Sequence, residues 1–357
     1  MNTAVAPYDA QWAALPVFFQ KALTPIRQFL AERDVVEISI NAPGGIWIER
    51  LGANRMIYHE APELRADDIR FLAQQVASDT RQVVNAEKPL LSAALPMGER
   101  FQCVLAPAGP RGGAISIRKQ VIQRLSLKEL AASGALSHVR VTIADELTNA
   151  ERRLCELLRD ASGAASAETA ASLIQEALEL AVRERVSILV SGGTSTGKTT
   201  FLNSLLHAVP RDERLISIED TRELDPPHAN YVPLLASKGE QGMANVTIQD
   251  LLEAALRMRP DRLFVGEVRG AEAFSFLQAI NTGHPGSMST VHANSPSQAY
   301  TRLALATMQA GLGLSKDEVV EYIRSVIPLV VQLSRIDGRR VVSEVQFTKL
   351  QGENRRD

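Results

Sequence analysis

The chain has 357 residues, 45% of them hydrophobic and 22% charged, which is enough for two or three globular domains. Its formal net charge of −2 excludes a uniformly basic surface for nucleic acid. Cys103 and Cys155 match no zinc or redox spacing and predict buried thiols in a reducing compartment. No signal peptide is evident, and no apolar run reaches the ~20 residues that cross a bilayer. The sequence therefore predicts a cytosolic protein, at most peripheral to a membrane.

The first third of the chain predicts a mixed α+β domain. Apolar residues between positions 12 and 30 recur at helical spacing, interrupted by Pro16 and Pro25, and we expect them to pack on their own domain rather than on a membrane. Short apolar runs then alternate with Gly- and Pro-rich turns, which is typical of strands. The predicted strands are 35–41, 46–50, 56–59, 90–95, 100–105 and 114–118, with a helix at 64–77. Residues 1–120 are thus predicted to form the first domain.

The rest of the chain predicts a linker and a second domain. Residues 121–150 are polar and rich in Ala and Ser, which predicts an interdomain linker with short helices. From residue 186 onward, apolar strands alternate with helical patterns, as in an α/β fold whose mainly parallel sheet is covered on both faces. This second domain is predicted over 151–357. The polar stretch 225–241 contains two prolines and is interpreted as a surface loop.

A glycine-rich loop follows the first strand of that sheet. Residues 192–199 match the phosphate-loop pattern G-x-x-x-x-G-K-[ST], with an apolar run before it and a helical pattern after it. The glycines let backbone N–H groups surround phosphate oxygens, and the following helix adds its positive end. Lys198 is expected to reach the β- and γ-phosphates, and the Thr199 hydroxyl to bind Mg²⁺. The predicted nucleotide-binding residues are Gly192, Gly193, Thr194, Ser195, Thr196, Gly197, Lys198, Thr199 and Thr200.

Acidic and histidine side chains follow later strands of the same sheet. Glu219 and Asp220 end one apolar strand, and Glu267 ends another. Because ligands of open α/β sheets bind at the carboxyl ends of the strands, these acids are candidates for holding Mg²⁺, directly or through water, or for activating the attacking water. The residues alone leave open which acid is the general base. His284 and His292 bracket a further strand. A metal pair is disfavoured because no third ligand has suitable spacing, and the two are interpreted as phosphate sensors or as packed neutral rings.

Four ordered blocks carry a specific resemblance to a known family. They are the phosphate loop, RLISIEDTREL at 214–224, LRMRPDRLFVGEVRG at 256–270 and NTGHPGSMSTVHANSP at 281–296. The last three resemble the Asp box, Walker B and His box of the type II/type IV secretion NTPase superfamily. Within this superfamily the chain is most similar to the hexameric traffic ATPase of bacterial type IV secretion systems. Two N-terminal stretches, VVEISINAPGGIWIE and PLLSAALPMGERFQ, also resemble that group. The resemblance covers nearly all of the chain from residue 29 to residue 347.

The resemblance implies a RecA-like P-loop ATPase domain with ATP and Mg²⁺ as cofactors. Lys198 and Thr199 would bind phosphate and Mg²⁺. Glu219 and Glu267 would position the metal and the attacking water. The last block would sense the γ-phosphate through His292, with His284 nearby.

The resemblance also changes the interpretation of two arginines. From pattern alone, Arg100 and Arg118 are solvated side chains at strand ends. The family's N-terminal domain uses arginines to reach the phosphates of the nucleotide, and these two positions match them. A guanidinium fork suits phosphate and stabilises charge in a loose transition state for phosphoryl transfer.

The family further implies a ring of six copies with the nucleotide between the two domains. Such a protein is cytoplasmic, peripheral to the inner membrane, and contacts inner-membrane and coupling components of the secretion system. No direct sequence-specific binding of nucleic acid is expected. The transported substrate stays open between DNA, effector protein and pilin.

Other functions compete with this interpretation. A type II secretion ATPase usually has a four-cysteine zinc insert, which two cysteines cannot form. A tight-adherence or type IV pilus assembly ATPase remains the alternative, although the former usually has a longer N-terminal helical region. The absence of an Asn-Lys-x-Asp motif for reading the base argues against a GTPase. A protein of another class is also considered: a nucleotide-binding switch or scaffold with little turnover. A third possibility is a DNA-handling RecA-like motor, which a salt-dependent DNA-binding assay would identify.

Overall fold

Two domains, each built on its own sheet, make up the fold. The computed structural model describes residues 8–119, 147–237, 245–336 and 339–350. The predicted fold class is confirmed: an α+β N-terminal domain precedes an α/β domain with a mainly parallel sheet. The predicted linker at 121–150 lies outside the described residues up to position 146. The domain boundaries themselves stay a prediction.

The N-terminal domain packs its helices on one face of a six-stranded antiparallel sheet with the order β3-β2-β1-β6-β5-β4. Apolar residues of the predicted helical stretch, such as Phe19 and Leu23, are buried in this core, as are Ile38 and Ile117 from the sheet. The elements described are α1 (Tyr8–Ala13), α2 (Val17–Leu23), a 3₁₀ turn (Thr24–Ile26), α3 (Arg27–Ala31), β1 (Val35–Ile40), β2 (Gly44–Arg50), β3 (Ile57–Ala61), α4 (Ala66–Asp79), β4 (Leu90–Ala94), β5 (Arg100–Val104) and β6 (Ala114–Arg118).

The second domain is a seven-stranded sheet with the order β13-β12-β7-β11-β10-β8-β9. All neighbouring pairs are parallel except β12 and β13, which form an antiparallel hairpin at one edge. The elements described are α5 (Asn149–Ser162), α6 (Ala167–Arg183), β7 (Ile188–Gly192), α7 (Lys198–His207), β8 (Leu215–Glu219), β9 (Tyr231–Leu235), α8 (Ile248–Leu256), β10 (Arg262–Val265), α9 (Glu272–Asn281), β11 (Met288–Val291), α10 (Pro296–Met308), α11 (Lys316–Val326), β12 (Leu329–Ile336) and β13 (Arg339–Phe347).

The central strands are buried along their whole length because helices cover both faces of the sheet. Every residue of β7, β8, β10 and β11 is buried, and separate apolar cores lie on the two sides. Most of the surrounding helices begin at a side-chain cap. Thr148, Ser166, Thr247, Ser295 and Ser315 each accept a hydrogen bond from a backbone N–H of the first turn. Helix α7 has no such cap, so its first N–H groups are left for another acceptor.

One strand differs from the sequence-based expectation. The stretch 225–241, interpreted as a surface loop, contains the edge strand β9. Alternate residues Val232 and Leu234 are buried, and the register pairs Leu215 with Tyr231. The sequence did not predict this strand because Pro233 and the polar residues on either side of it are typical of a loop. A proline is tolerated there because one side of an edge strand makes no ladder hydrogen bonds.

A buried arginine joins the two domains. The Arg214 side chain is fully buried and donates from Nη1 to Asn41 Oδ1 and Asn230 Oδ1, both at 2.6 Å. Its Nε donates to the Met258 carbonyl oxygen at 2.9 Å, and its Nη2 to Ser116 Oγ at 3.3 Å. Burial lowers the pKa of this guanidinium to about 10, which still leaves it charged at neutral pH. The contact therefore ties β1 and β6 of the first domain to the amino end of β8.

We expect Arg214→Ala to lower the free energy of unfolding by about 3 kcal/mol, because buried hydrogen bonds to a charged group are lost and two amide oxygens lose a donor. Urea unfolding monitored by circular dichroism measures this change. The matched control is Arg211→Ala, an exposed arginine whose Nη1 donates to the Pro227 carbonyl oxygen at 2.8 Å. Equal stabilities of the two variants would contradict a stabilising role for the buried contact.

No helix within the described ranges is both long enough and apolar enough to cross a membrane.

Candidate active site

The phosphate loop lies at the carboxyl end of β7, in the predicted strand–loop–helix context. Gly197 precedes α7 with a φ of 90°, and Ser195 has a φ of 60°, so the loop bends through the left-handed region. A β-carbon on Gly192 would stand 2.4 Å from Thr196 Oγ1 and 2.9 Å from the Leu333 carbonyl oxygen. Position 192 therefore requires glycine. The uncapped start of α7 directs free N–H groups and a positive helix end into the loop, an arrangement that binds phosphate.

Lys198 folds back beneath its own loop. Its Nζ donates to the carbonyl oxygens of Gly193 at 2.9 Å and Gly192 at 3.1 Å, and it lies 3.4 Å from His292 Nδ1. Only 9% of the residue is exposed, and burial lowers the pKa of the ammonium although Glu267 acts in the opposite direction. The charge is thus held beneath the loop, next to the N-terminus of α7.

His292, which contacts Lys198, also contacts Glu267. His292 Nε2 lies 3.3 Å from Glu267 Oε1, and Arg269 Nη2 donates to Glu267 Oε2 at 2.8 Å. With a proton on Nε2 the ring can donate to Glu267, and a bare Nδ1 can accept from Lys198. Burial alone would raise the pKa of Glu267, but Arg269, His292 and Lys198 together lower it. The carboxylate is therefore ionised at neutral pH and can hold a cation or accept a proton.

Glu219 is held differently from Glu267, although both end strands of the same sheet. Its Oε1 accepts from the backbone N–H groups of Glu223 and Leu224, both at 2.9 Å, and its Oε2 accepts from Ser217 Oγ at 3.1 Å. The residue is 3% exposed, and burial raises the pKa of its carboxyl group. Glu219 thus anchors the loop after β8. It also restricts Gly266, where a β-carbon would stand 3.3 Å from Glu219 Cγ.

These elements enclose one cavity of about 470 Å³ at the carboxyl ends of the strands. Gly193 and Thr194 also line an adjoining cavity that includes His292. Thr199 is half-buried and lines the same cavity as Glu267. The residues around the main cavity are Thr194, Ser195, Gly197, Lys198, Thr199, Thr200, Glu219, Asp220, Thr221, Glu223, Gly266, Glu267, Arg269, Thr290, His292 and Arg340.

The oxygen ligands in this cavity fit Mg²⁺. Mg²⁺ is usually bound by one or two protein oxygens together with substrate phosphates and water, which matches a Thr199 hydroxyl and a Glu267 carboxylate beside a phosphate loop. In the part of the chain that the structure describes, no group of three or more His, Cys, Asp or Glu side chains could hold a metal ion. The fit therefore depends on the phosphates of a bound nucleotide.

The two N-terminal arginines lie away from this cavity. Arg100 and Arg118 face each other on the paired strands β5 and β6, and both are exposed. Ser116, two residues before Arg118, contacts Met258 and Arg214, which precede β10 and β8 at the amino end of the second sheet. The phosphate loop lies at the opposite end of that sheet. Within one chain, the structure does not bring Arg100 or Arg118 to the phosphate loop.

His284 also lies apart from the cavity, so the expectation that it would be near His292 is wrong. Its Nδ1 is 2.9 Å from the Pro260 carbonyl oxygen, at the amino ends of β10 and β11. Burial lowers its pKa, which favours the neutral ring packed between loops. The two histidines flank β11, and the length of the strand separates them.

The structure adds Arg269 and Arg340 to the cavity, which the motifs did not single out. Arg269 pairs with Glu267 and lies 3.4 Å from Asp220. Its position two residues after the Walker B glutamate was an available signal, since charged residues just after such a strand face the ligand. Arg340 lies on β13, far from every motif in sequence, and only the three-dimensional fold brings it to the loop.

Comparisons with known proteins agree with this geometry. A family model described as "Type II/IV secretion system protein" matches residues 20–348. The type IV secretion system protein VirB11 of Bartonella quintana is 36% identical over 335 residues, covering 93% of both chains. The type IV secretion system protein PtlH of Bordetella pertussis is 38% identical over 343 residues, covering 91% of this chain and 93% of that protein.

A solved structure matches over the same extent. The crystal structure of the VirB11 ATPase from the Brucella suis type IV secretion system, in complex with sulphate, superposes with a TM-score of 0.84 at 33% identity. The match covers 94% of this chain and 98% of that one, so it includes both domains. The predicted resemblance to the traffic ATPases of type IV secretion systems is confirmed. The chain belongs to the type II/IV secretion system protein family, and it is an ATPase.

Proposed function

We propose that this ATPase is a Mg²⁺-dependent, homohexameric motor that energises type IV secretion, by moving substrate, by assembling pili, or both. The observation that carries the proposal is the continuous contact of Lys198, His292 and Glu267 beside the uncapped start of α7. A cation for phosphate, a carboxylate for water or metal and a ring that joins them are the components that ATP hydrolysis requires.

Each component has a role in the proposed reaction. Backbone N–H groups at the start of α7 hold the β-phosphate, and Lys198 turns from the carbonyl oxygens of its loop to the β- and γ-phosphates. The Thr199 hydroxyl and the Glu267 carboxylate would hold Mg²⁺, Glu267 directly or through water. When bound, Mg²⁺ neutralises charge on the β- and γ-phosphates. Glu267 orients the attacking water and accepts its proton. His292 contacts both Glu267 and Lys198, fixes their relative positions and senses the γ-phosphate.

We further propose that Arg100 and Arg118 act on the nucleotide of a neighbouring copy in the ring. Both are exposed at the end of the N-terminal sheet that lies by the amino end of the ATPase sheet. A ring built from heterologous contacts places this surface of each copy against a different surface of the next. Two guanidinium groups would then stabilise charge on a phosphoryl group held by another subunit. Loss of the γ-phosphate would release this contact and let the subunits move apart.

The cellular setting follows from the proposed function. The ring is expected in the cytoplasm, peripheral to the inner membrane, against inner-membrane and coupling components of the secretion system. ATP-driven movement of its domains would act on those components. The net charge of −2 supports the expectation that the ring makes no direct sequence-specific contact with nucleic acid.

A mixing experiment tests the ring and the shared site together. We expect Arg100→Ala alone to lose ATP turnover by a factor of about 10³ with its fold intact, and Lys198→Ala alone to be inactive. An equal mixture of the two regains activity if the arginine acts between copies, because about a quarter of randomly formed sites have both groups. ATP turnover is measured before and after subunits are exchanged.

The matched control is Arg111→Ala, another exposed arginine of the N-terminal domain, which should hydrolyse ATP like the unmodified chain. An inactive mixture would assign Arg100 to its own chain's nucleotide. Normal turnover by Arg100→Ala would remove this arginine from the site altogether. Specific activity that does not change with protein concentration would contradict a site completed by assembly.

A further inference from the structure

The last hairpin of the chain lies directly against the phosphate loop. Strand β12 runs parallel to β7, and their register pairs Leu333 with Gly192, the last residue of β7. A β-carbon on Gly192 would stand 2.9 Å from the Leu333 carbonyl oxygen, so the two backbones touch. Strand β13 returns antiparallel along the outer side of β12, with Arg340 opposite Arg335. The hairpin thus forms one wall of the site, and neither of its strands belongs to a nucleotide-binding motif.

Arg340 reaches over the loop from that wall. A β-carbon on Gly197 would stand 3.1 Å from Arg340 Cδ and 3.9 Å from its Nε. Arg340 lines the same cavity as Lys198 and Glu267 and is exposed to it. With the residues that the structure describes, its guanidinium forms no hydrogen bond or ion pair. The Arg340 guanidinium, with donors that no described residue accepts from, therefore lies next to Gly197, the residue that precedes α7.

The strand order indicates which end of a bound nucleotide Arg340 would meet. Glu267 and His292 follow β10 and β11, on one side of β7, whereas β12 and β13 lie on the other side. A terminal phosphate facing Glu267 and His292 leaves the α-phosphate and the nucleoside on the side of the hairpin. The N-terminus of α7, between the two sides, then meets the β-phosphate, and Lys198 reaches both the β- and the γ-phosphate.

We propose that Arg340 binds the nucleotide at its α-phosphate and nucleoside end, as a second cationic clamp opposite the site that senses the γ-phosphate. The proposal rests on the proposed nucleotide site and adds a residue that acts on ATP and ADP alike. Because that end of the nucleotide does not change during hydrolysis, Arg340 contributes to affinity and not to the chemical step. It would hold ADP in place while the γ-phosphate contact is lost.

The test measures binding of ADP and of a non-hydrolysable ATP analogue by isothermal titration calorimetry. Arg340→Ala is expected to raise the Kd for both nucleotides by the same factor of about ten, as for loss of one charge-assisted hydrogen bond. Arg340→Lys retains the charge but not the fork and should fall between. In steady-state assays KM rises while kcat stays within about twofold.

The matched control is Arg339→Ala, the neighbouring exposed arginine, whose side chain leaves β13 on the opposite face. It should bind both nucleotides like the unmodified chain. A Kd that rises for the ATP analogue alone would place Arg340 at the γ-phosphate and overturn the proposal. Unchanged affinity for both nucleotides would also overturn it. If Lys198→Ala also left both affinities unchanged, the nucleotide site itself would be wrong, which is a different failure.

Discussion

Replacing Lys198 with alanine is expected to lower kcat by a factor of about 10³ or more, the range for groups that stabilise transferring phosphoryl groups. The ammonium lies at the centre of the site, within 3.4 Å of the backbone of its own loop and of His292. Its removal deletes the cation that the phosphates would meet. It also leaves the carbonyl oxygens of Gly192 and Gly193 without their donor, which weakens the shape of the loop.

Two further variants separate charge from position at this site. Lys198→Arg keeps the positive charge, but a planar guanidinium cannot occupy the confined position beneath the loop, so we expect it to be nearly as inactive. Lys316→Ala, at an exposed lysine in the first turn of α11, should hydrolyse ATP normally. Thermal unfolding of each variant confirms that the fold is retained. Residual turnover of Lys198→Ala near the unmodified rate would contradict the assignment of the loop.

Much of the fold could be predicted because local signals and tertiary structure agree. The strands of the second sheet are apolar along their whole length, since helices bury both faces, and this pattern is visible in the sequence. The strand–loop–helix context of the phosphate loop was predictable, because the pattern and its flanking elements reflect one backbone geometry. The carboxyl ends of β8 and β10 follow from the same topology rule, which correctly located Glu219 and Glu267 beside the loop.

The remaining features depend on contacts that a sequence does not contain. Glu219 and Glu267 both follow a strand and look equivalent in the sequence. Their partners differ: Glu219 accepts hydrogen bonds from backbone N–H groups of its loop, whereas Glu267 contacts His292 in the cavity. From the sequence, His284 and His292 are equally good candidates for a phosphate sensor. They flank opposite ends of β11, and only His292 lines the cavity. Arg340 lies about 140 residues from the phosphate loop, and its approach to Gly197 depends on the β12–β13 hairpin. Strand β9 pairs with β8 although Pro233 lies at its centre, and this pairing is a tertiary contact.

The carboxylate at Glu267 provides the second large expected effect. Glu267→Gln should lower kcat by a factor of about 10²–10³, because the amide can neither accept a proton nor balance the charge of a metal ion. Affinity for ATP should be retained, since the loop and Lys198 still hold the phosphates. This expectation rests on the contacts of Glu267 with Arg269 and His292 inside the cavity, which lower the pKa of its carboxyl group although burial acts to raise it.

The matched comparison is Glu219→Gln, which makes the same chemical change one strand away. Glu219 accepts two hydrogen bonds from the loop after β8 and one from Ser217 on β8, so its amide variant should lower the melting temperature and raise KM while kcat changes less. Single-turnover hydrolysis with pre-bound ATP measures the chemical step of both variants without interference from binding. A large loss of the chemical step in Glu219→Gln, with normal hydrolysis by Glu267→Gln, would reverse the two roles and make Glu219 the general base. Loss in Glu267→Gln alone would leave Glu219 with the structural role that its hydrogen bonds indicate.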